Sequence, residues 1–167
     1  NSNSECNLVQ LSHKYDFSEL YGKNYGYRSG LNKSMSEHLK SKTKYILKKY
    51  NFNKKKPLIV DIGSNDATTL KAYPKNKYKL FGFDPTAKKF KEHYPKNIKY
   101  SSNFFSFKLF KKIFKKKRAE IITSFSMFYD LENPITFMND VYNTLSDDGI
   151  WIFEQSYLPS MIKTMSF

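Results

Sequence analysis

The chain has 167 residues, 40% of them hydrophobic, with one Cys, one Trp and a net charge of +14, which suits one domain with a buried core. A single cysteine excludes a disulfide framework and a self-contained structural zinc site. No apolar run approaches the ~20 residues of a membrane span, and no basic-then-apolar signal peptide opens the chain, so the expected address is cytoplasmic.

Tyr21-Gly22-Lys23-Asn24-Tyr25-Gly26-Tyr27 is a Tyr/Gly loop unlike the rest of the chain. Ser34-Met35-Ser36-Glu37 is a capping-box pattern, and Leu39, Thr43, Ile46 and Tyr50 follow at helical spacing. Residues 14–50 are therefore expected to be a Tyr-rich loop and a helix packed on a core domain over 51–157. Leu58 to Ile62 is nearly continuous in apolarity, as a strand buried on both faces should be. A helix is expected over Asp66 to Ala72, then a strand over Lys79 to Phe83. Pro85 to His93 reads as the next helix, with Pro suited to an early helical position. A weaker strand, Ile98 to Ser101, precedes a helix from about Phe105 to Phe114.

Ala119 to Ser124 is the fourth strand. Asn133 can cap the clearest helix, Pro134 fits its first turn, and Ile135, Met138, Tyr142 and Leu145 repeat on one face. Ser146-Asp147-Asp148-Gly149 is expected to turn into the last strand, Ile150 to Glu154. There Trp151 and Phe153 alternate with Ile150 and Ile152, which reads as a strand buried on both faces. The alternation predicts βαβ units with right-handed crossovers. The fold class is α/β, a doubly wound, mostly parallel sheet with an N-terminal helical extension. Five strands are few for a complete enzyme of this class. The first residue is Asn1 and the stretch from Met161 to Phe167 carries no helix-ending signal, so the chain is expected to be cut at both ends.

In an open parallel sheet, ligands bind beyond the carboxyl ends of the strands. The first such turn reads Asp61-Ile62-Gly63-Ser64-Asn65-Asp66-Ala67. A dinucleotide fingerprint requires glycines at Asn65 and Thr68, and both are absent. A pyrophosphate wants a neutral, amide-lined helix start, which Asp61 and Asp66 oppose. Two carboxylates instead suit a ligand with cationic groups and no phosphate. Asp84, at the tip of the second strand in Phe81-Gly82-Phe83-Asp84-Pro85, lies 21 positions after Gly63. There a carboxylate can accept ribose hydroxyls, cap the following helix, or do both.

D-I-G-S-N-D-A at 61–67, F-G-F-D-P at 81–85 and the stretch from Ile121 to Tyr157 resemble a class I S-adenosylmethionine-dependent methyltransferase, a Rossmann-like fold. More narrowly, the chain is similar to the three-part sugar C-methyltransferases, which act on nucleotide-linked keto-deoxysugars. Those proteins join a zinc-binding N-terminal module, a methyl-donor domain and a C-terminal α/β domain. Glu5-Cys6-Asn7-Leu8-Val9-Gln10-Leu11 resembles the end of the zinc module, so 1–13 is its expected remnant, with Cys6 as its last ligand. Tyr25-Gly26-Tyr27-Arg28-Ser29-Gly30, Met35 and His38 resemble the lead into the central domain.

The resemblance implies S-adenosylmethionine as cofactor, whose ammonium and sulfonium match the acidic turn. Asp61, Gly63, Ser64, Asn65 and Asp66 would line its methionine end, and Asp84, followed by Pro85, would hold the ribose. Asn103 and Phe104 would flank the adenine, and Ser124, Phe125 and Ser126, on through Phe128, would close the site near the methyl group. Ala67 replaces a common glycine, and Ser126 and Asp130 stand where many members have Asn and His. The family's base segment follows the fifth strand; residues 158–167 would only begin that continuation, so the fragment is expected to lack its catalytic wall. In the family, a base removes the proton beside the sugar ketone and the enolate carbon attacks the sulfonium methyl; no metal is needed.

Only Arg28 and Arg118 among the basic residues are arginines, and Asn, Phe, Tyr and Ile are abundant, as A/T-rich codons would dictate. Arginine, suited to bidentate phosphate contacts, is the scarce one, so the composition disfavours a nucleic-acid partner. The runs Lys54-Lys55-Lys56 and Lys115-Lys116-Lys117-Arg118 read as solvated loop ends. An RNA methyltransferase is the enzymatic alternative, although Ser124-Phe125-Ser126-Met127 has no Asn/Asp-Pro-Pro-aromatic tetrad. A non-catalytic, lysine-rich nucleic-acid-binding module is the other, and a nicotinamide-binding domain comes last because of the acidic turn. His13, His38 and His93 have no partners at metal spacing. The tyrosines at 21, 25 and 27 cover the site or pack the helix, and Glu154 orients a substrate hydroxyl or caps the next turn.

Overall fold

A computed structural model describes Tyr21, residues 25–51 and residues 55–165. The expected remnant at 1–13, with Cys6, and His13 lie outside the described residues. Five parallel strands form one sheet: β1 Leu58–Ile62, β2 Lys79–Phe83, β3 Ile98–Ser101, β4 Ala119–Phe125 and β5 Leu145–Glu154. Their order is β3-β2-β1-β4-β5, with β1 at the centre, as a doubly wound fold requires.

Helices cover both faces. The helices are α1 Lys33–Lys49, α2 Thr68–Lys71, α3 Phe107–Phe114, α4 Pro134–Thr144 and α5 Leu158–Thr164. Alternation along β1 sends Leu58, Val60 and Ile62 into one core with Phe81, Phe83, Phe110 and Val141. Ile59 points the other way, to Ile46 of α1, Leu70 of α2, and Leu80, Ile98 and Ile121. Each such aliphatic side chain fully buried stabilises the fold by about 1.5–3 kcal/mol. Among the described residues no helix is long and apolar enough to cross a membrane.

Several elements differ from expectation, each for a local reason. The α1 cap is Asn32, whose side chain accepts from Met35 N at 3.2 Å, so the helix starts before the Ser34 pattern. Its buried stripe, Leu39, Thr43 and Ile46, is the expected one. The Pro85–His93 helix does not form: turns lead to a short 3₁₀ turn at Lys91–His93. Tyr94, before Pro95, is extended and ends this segment. In α4 the stripe is shifted: Phe137, Val141 and Thr144 are buried, while Ile135 and Tyr142 are 62% and 77% exposed. Both stripes are apolar; the aromatic cluster beneath decides, with Phe137 meeting Phe105, Phe128 and Trp151 at ring distances of 5.7–6.0 Å.

The Ser146–Gly149 turn is absorbed into β5 as an irregularity. Leu145 pairs with Ala119 and Ile150 with Ile121, so β5 carries three residues more than β4 between those pairs. A Cβ at Gly149 would stand 2.8 Å from Ser146 O and 2.9 Å from Ala119 O, which reserves the position for glycine. β5 is also an edge strand, half-buried rather than buried on both faces; Phe153 is 43% exposed.

Candidate active site

The turn after β1 is built on left-handed backbone. Gly63, Asn65 and Ala67 have φ of 75°, 47° and 63°. Glycine and asparagine accept such values readily; alanine at 67 does so at a cost of about 1–2 kcal/mol. The turn is clamped to β2: Gly63 N and Ser64 N both donate to Phe83 O. A Cβ at Gly82 would collide with Ser64 Oγ, so this glycine lets the turn lie directly on the neighbouring strand. Tyr94 Oη completes the clamp, bonding Ser64 Oγ and donating to Asn65 O, both at 2.8 Å.

Two carboxylates sit at the strand tips. Thr123 Oγ1 donates to Asp61 Oδ1, while Asp61 Oδ2 is buried with no hydrogen bond of acceptable geometry. Burial drives the Asp61 pKa up to about 7, with the Thr123 hydroxyl opposing and the Asp84 charge adding. Asp84 Oδ2 accepts from Asn65 N at 2.8 Å, and Oδ1 accepts from Thr86 N at 2.6 Å and from the Thr86 hydroxyl. Asp84 therefore caps its own turn and braces the β1 turn together, and Oδ2 retains acceptor capacity.

Residues 25–30 run across this pair as a strap. Ser29 N donates to Asn65 Oδ1 at 2.9 Å and Asn65 Nδ2 to Tyr27 O at 3.1 Å. Lys89 Nζ donates to Tyr25 O at 2.6 Å. Asp66 is the anchor: Oδ1 accepts from Thr68, and Oδ2 accepts from Gly30 N at 3.2 Å, with Arg28 Nε at 3.7 Å and Lys71 Nζ at 3.9 Å. Tyr21, Tyr25 and Tyr27 all face the enclosed space, so of the two readings left open for them, covering is the one their placement fits. Burial, then the Asp84 charge, pushes the Tyr25 hydroxyl up to about 12. Tyr21 Oη donates to Asp130, which ties the strap to the segment after β4.

The space enclosed is about 90 Å³. Of the residues expected at a site, Asp61, Gly63, Ser64, Asn65, Asp84, Phe125 and Ser126 line it. The others are placed elsewhere. Asp66 faces the strap, and Pro85 lies outside the lining. Asn103 donates to Ser101 Oγ at 3.2 Å, and Phe104 is 58% exposed beyond β3. Ser124 Oγ accepts from Trp151 Nε1 at 2.8 Å inside β4. Sequence reasoning missed Thr68 and Thr69, which the start of α2 sets beside the β1 turn, and Ser29, which only the tertiary path of the strap brings here; Tyr94 supports the turn from behind. Glu154 caps no turn: it accepts from His38 at 2.9 Å and pairs with Lys42 at 2.9 Å, tying the β5 tip to α1. Among the described residues no cluster of His, Cys, Asp and Glu could hold a metal ion.

A parallel sheet with an acidic first turn, a second carboxylate on β2 and a cavity at the carboxyl edge narrows the comparison with known families. The family model described as a methyltransferase domain matches residues 31–166, from the start of α1 through α5. The chain belongs to the methyltransferase domain family. No protein of curated function matches the chain significantly. Among solved structures, this methyltransferase domain is similar to the plantazolicin methyltransferase BpumL in complex with a triazolic desmethylPZN analog and SAH, at 19% identity and TM-score 0.63 over 83% of this chain and 54% of that one. It is also similar to a methyltransferase of Haloferax volcanii solved with the Trm112 activator, at 15% identity and TM-score 0.56 over 75% of this chain and 55% of that one. The CurJ carbon methyltransferase matches at 13% identity and TM-score 0.56, covering 75% of this chain and 37% of that one. The domain thus shares the class I fold and spans about half the length of the first of these relatives.

Proposed function

We propose that this methyltransferase domain binds S-adenosylmethionine at the carboxyl edge of β1, β2 and β4, as the donor half of an enzyme that methylates a small polar molecule. The carrying observation is Asp61 Oδ2, a buried carboxylate oxygen without a hydrogen bond in the wall of the cavity. Burial disfavours the ionised form of this carboxyl, against the Thr123 and Thr69 hydroxyls, and a ligand ammonium beside Oδ2 would favour that form. The donor set therefore fits this cofactor, which supplies an electrophilic methyl on a good leaving group. Asp61 holds the ammonium; Gly63, Ser64 and Asn65 give the backbone of the methionine end. Asp84 offers acceptor capacity to ribose hydroxyls, and Asn103 and Phe104, beyond β3, flank the adenine. Phe125 and Ser126 border the methyl and exclude water from it.

The enclosed space is well below the ~300 Å³ of small ligand pockets, so the tyrosine strap shifts outward on loading and recloses. On the acceptor, BpumL is a plantazolicin methyltransferase solved with a triazolic desmethylPZN analog, which supports a small-molecule acceptor. The finer reading, carbon methylation of a nucleotide-linked keto sugar in the cytoplasm, is supported only by the resemblance of residues 5–11 and 25–38.

Calorimetric titration of S-adenosylmethionine and its demethylated product tests the site, with NADH as control. One-site binding is expected, reduced about 10- to 100-fold in Asp84→Ala by loss of charge-assisted hydrogen bonds, and none with NADH. Absence of binding by a cooperatively melting chain, or equal binding by Asp84→Ala and Asp61→Asn, would overturn the proposal.

A further inference from the structure

The opposite edge of the sheet carries a second concavity, of about 1020 Å³. It lies where β1, β2, β4 and β5 begin, and among the described residues seven of the fifteen lining it are Lys or Arg, against 29 of 167 in the chain. A base-composition bias scatters lysines without regard to the fold. Here they come from four separate stretches: Lys49 ends α1, Lys55 and Lys56 precede β1, Lys79 opens β2, and Lys116 and Lys117 precede β4. Helix dipoles account for Lys49 and Lys116, near the carboxyl ends of α1 and α3, and for none of the strand-side group.

Among the described residues the groove carries seven Lys or Arg against three carboxylates, Glu120, Asp147 and Asp148. Glu120 is turned inward, accepting from Leu58 N at 2.6 Å, and Arg118 is engaged by the carbonyls of Asn143 and Leu145. Among the described residues Lys55, Lys56, Lys79, Lys116 and Lys117 have no carboxylate partner. Asp147 and Asp148 stand on the β5 wall only. Lys117 lies close enough to Lys79 to hold its pKa below the usual lysine range. An array of like charges kept this close is relieved by a bound polyanion, which would release the counterions that now screen it.

We propose that this groove binds the phosphodiester backbone of single-stranded RNA. Lysines act as point-charge phosphate ligands along the groove. A membrane surface fits less well, because no exposed large apolar side chain lines the groove to enter a bilayer. The five residues of β1 place the strand roughly 17 Å from the methyl-donor cavity. The groove is thus a tether, and it stands or falls independently of the cofactor site.

Fluorescence anisotropy with a labelled single-stranded RNA of about 12 nucleotides is the test. The full chain is expected to bind with a log–log salt slope of about −3.5 if five phosphates are met, or about 100-fold between 50 and 200 mM salt. Lys55→Glu, Lys79→Glu, Lys116→Glu and Lys117→Glu together remove at least about 30-fold of the affinity. The same reversal at Lys40, Lys44, Lys75 and Lys108, exposed outside the groove, removes no more than about threefold. Both sets change exposed side chains and are checked by cooperative melting; Lys→Gln sets repeat the comparison should a reversal set fail to fold. Equal losses in the two sets, no salt-sensitive binding, or binding to phosphatidylserine vesicles without binding to RNA would each overturn it.

Discussion

Asp61 is the residue whose chemistry depends most on its surroundings. With its carboxyl pushed up to about 7 in the free protein, it is largely protonated at pH 6 and ionised at pH 8. A ligand ammonium requires the ionised form, so affinity for the demethylated cofactor is expected to rise about fourfold across that interval, the gain from Asp61 being partly offset as the ligand amine loses its proton near pH 8. Titration calorimetry at both values checks this, and Asp61→Asn should bind weakly with no such rise. The raised pKa acts oppositely on stability: its contribution is full below about pH 4 and is lost as pH rises through 7. The same turn makes a backbone prediction. Gly63→Ala meets a positive φ and a Met127 Cγ only 3.2 Å away, and should cost about 1–2 kcal/mol in urea melts. Ala67→Gly relieves comparable strain but loses a buried methyl worth about 0.8 kcal/mol and adds chain entropy, so it should fall within about 1 kcal/mol of neutral. The acidic residues of this turn were legible in the sequence. The division of labour between them was not: Asp61 faces the cavity and Asp66 the strap because Arg28 and Gly30 arrive from 36 or more residues away.

Among the elements, α4 shows how far periodicity reaches. Its cap and length follow from Asn133 and Pro134, yet two apolar stripes compete for burial, and only the aromatic cluster under the helix chooses. Phe137→Ala should therefore cost about 3–5 kcal/mol, whereas Ile135→Ala, on the solvent side, should stay within about 0.5 kcal/mol by chemical denaturation. β1, β2 and β4 were readable as short apolar runs between turn residues, whereas the first half of β5, Leu145 to Gly149, carries turn residues and was not. The helix expected after β2 was not: residues 85–93 are turns ending in a 3₁₀ turn, and nothing in the segment's own pattern distinguishes them from a helix. The α1–β5 latch belongs to this scale too. Burial raises the Glu154 carboxyl, but the hydrogen bonds and charges of His38 and Lys42 outweigh it, leaving its pKa below the usual range. A depressed carboxyl contributes stability above its unfolded pKa that is lost as pH falls through the folded value. The groups are partly exposed, so the contribution is under about 1 kcal/mol. Glu154→Gln should reduce urea stability slightly at pH 7 and not at all at pH 3.

For the whole molecule, the sheet order places opposite chemistry at its two ends, carboxylates and tyrosines where strands finish and lysines where they begin. The order itself sets a sequence of events in time. Ile59 pairs with Leu80 across 21 positions and with Ile121 across 62. Closing the longer loop costs about 1 kcal/mol more in chain entropy. The central strand is therefore expected to join β2 before it joins β4. Pulse-labelled amide exchange during refolding should show protection in β1 and β2 ahead of the β1–β4 seam. Between those two moments the methyl-donor turn would already be clamped to β2, while the Thr123 hydroxyl that steadies Asp61 was still in a separate half. Newly made chains would thus pass through a stage with the β1 turn shaped but Asp61, proposed to hold the cofactor ammonium, unsupported, so added cofactor would be expected to speed the late docking step rather than the early one.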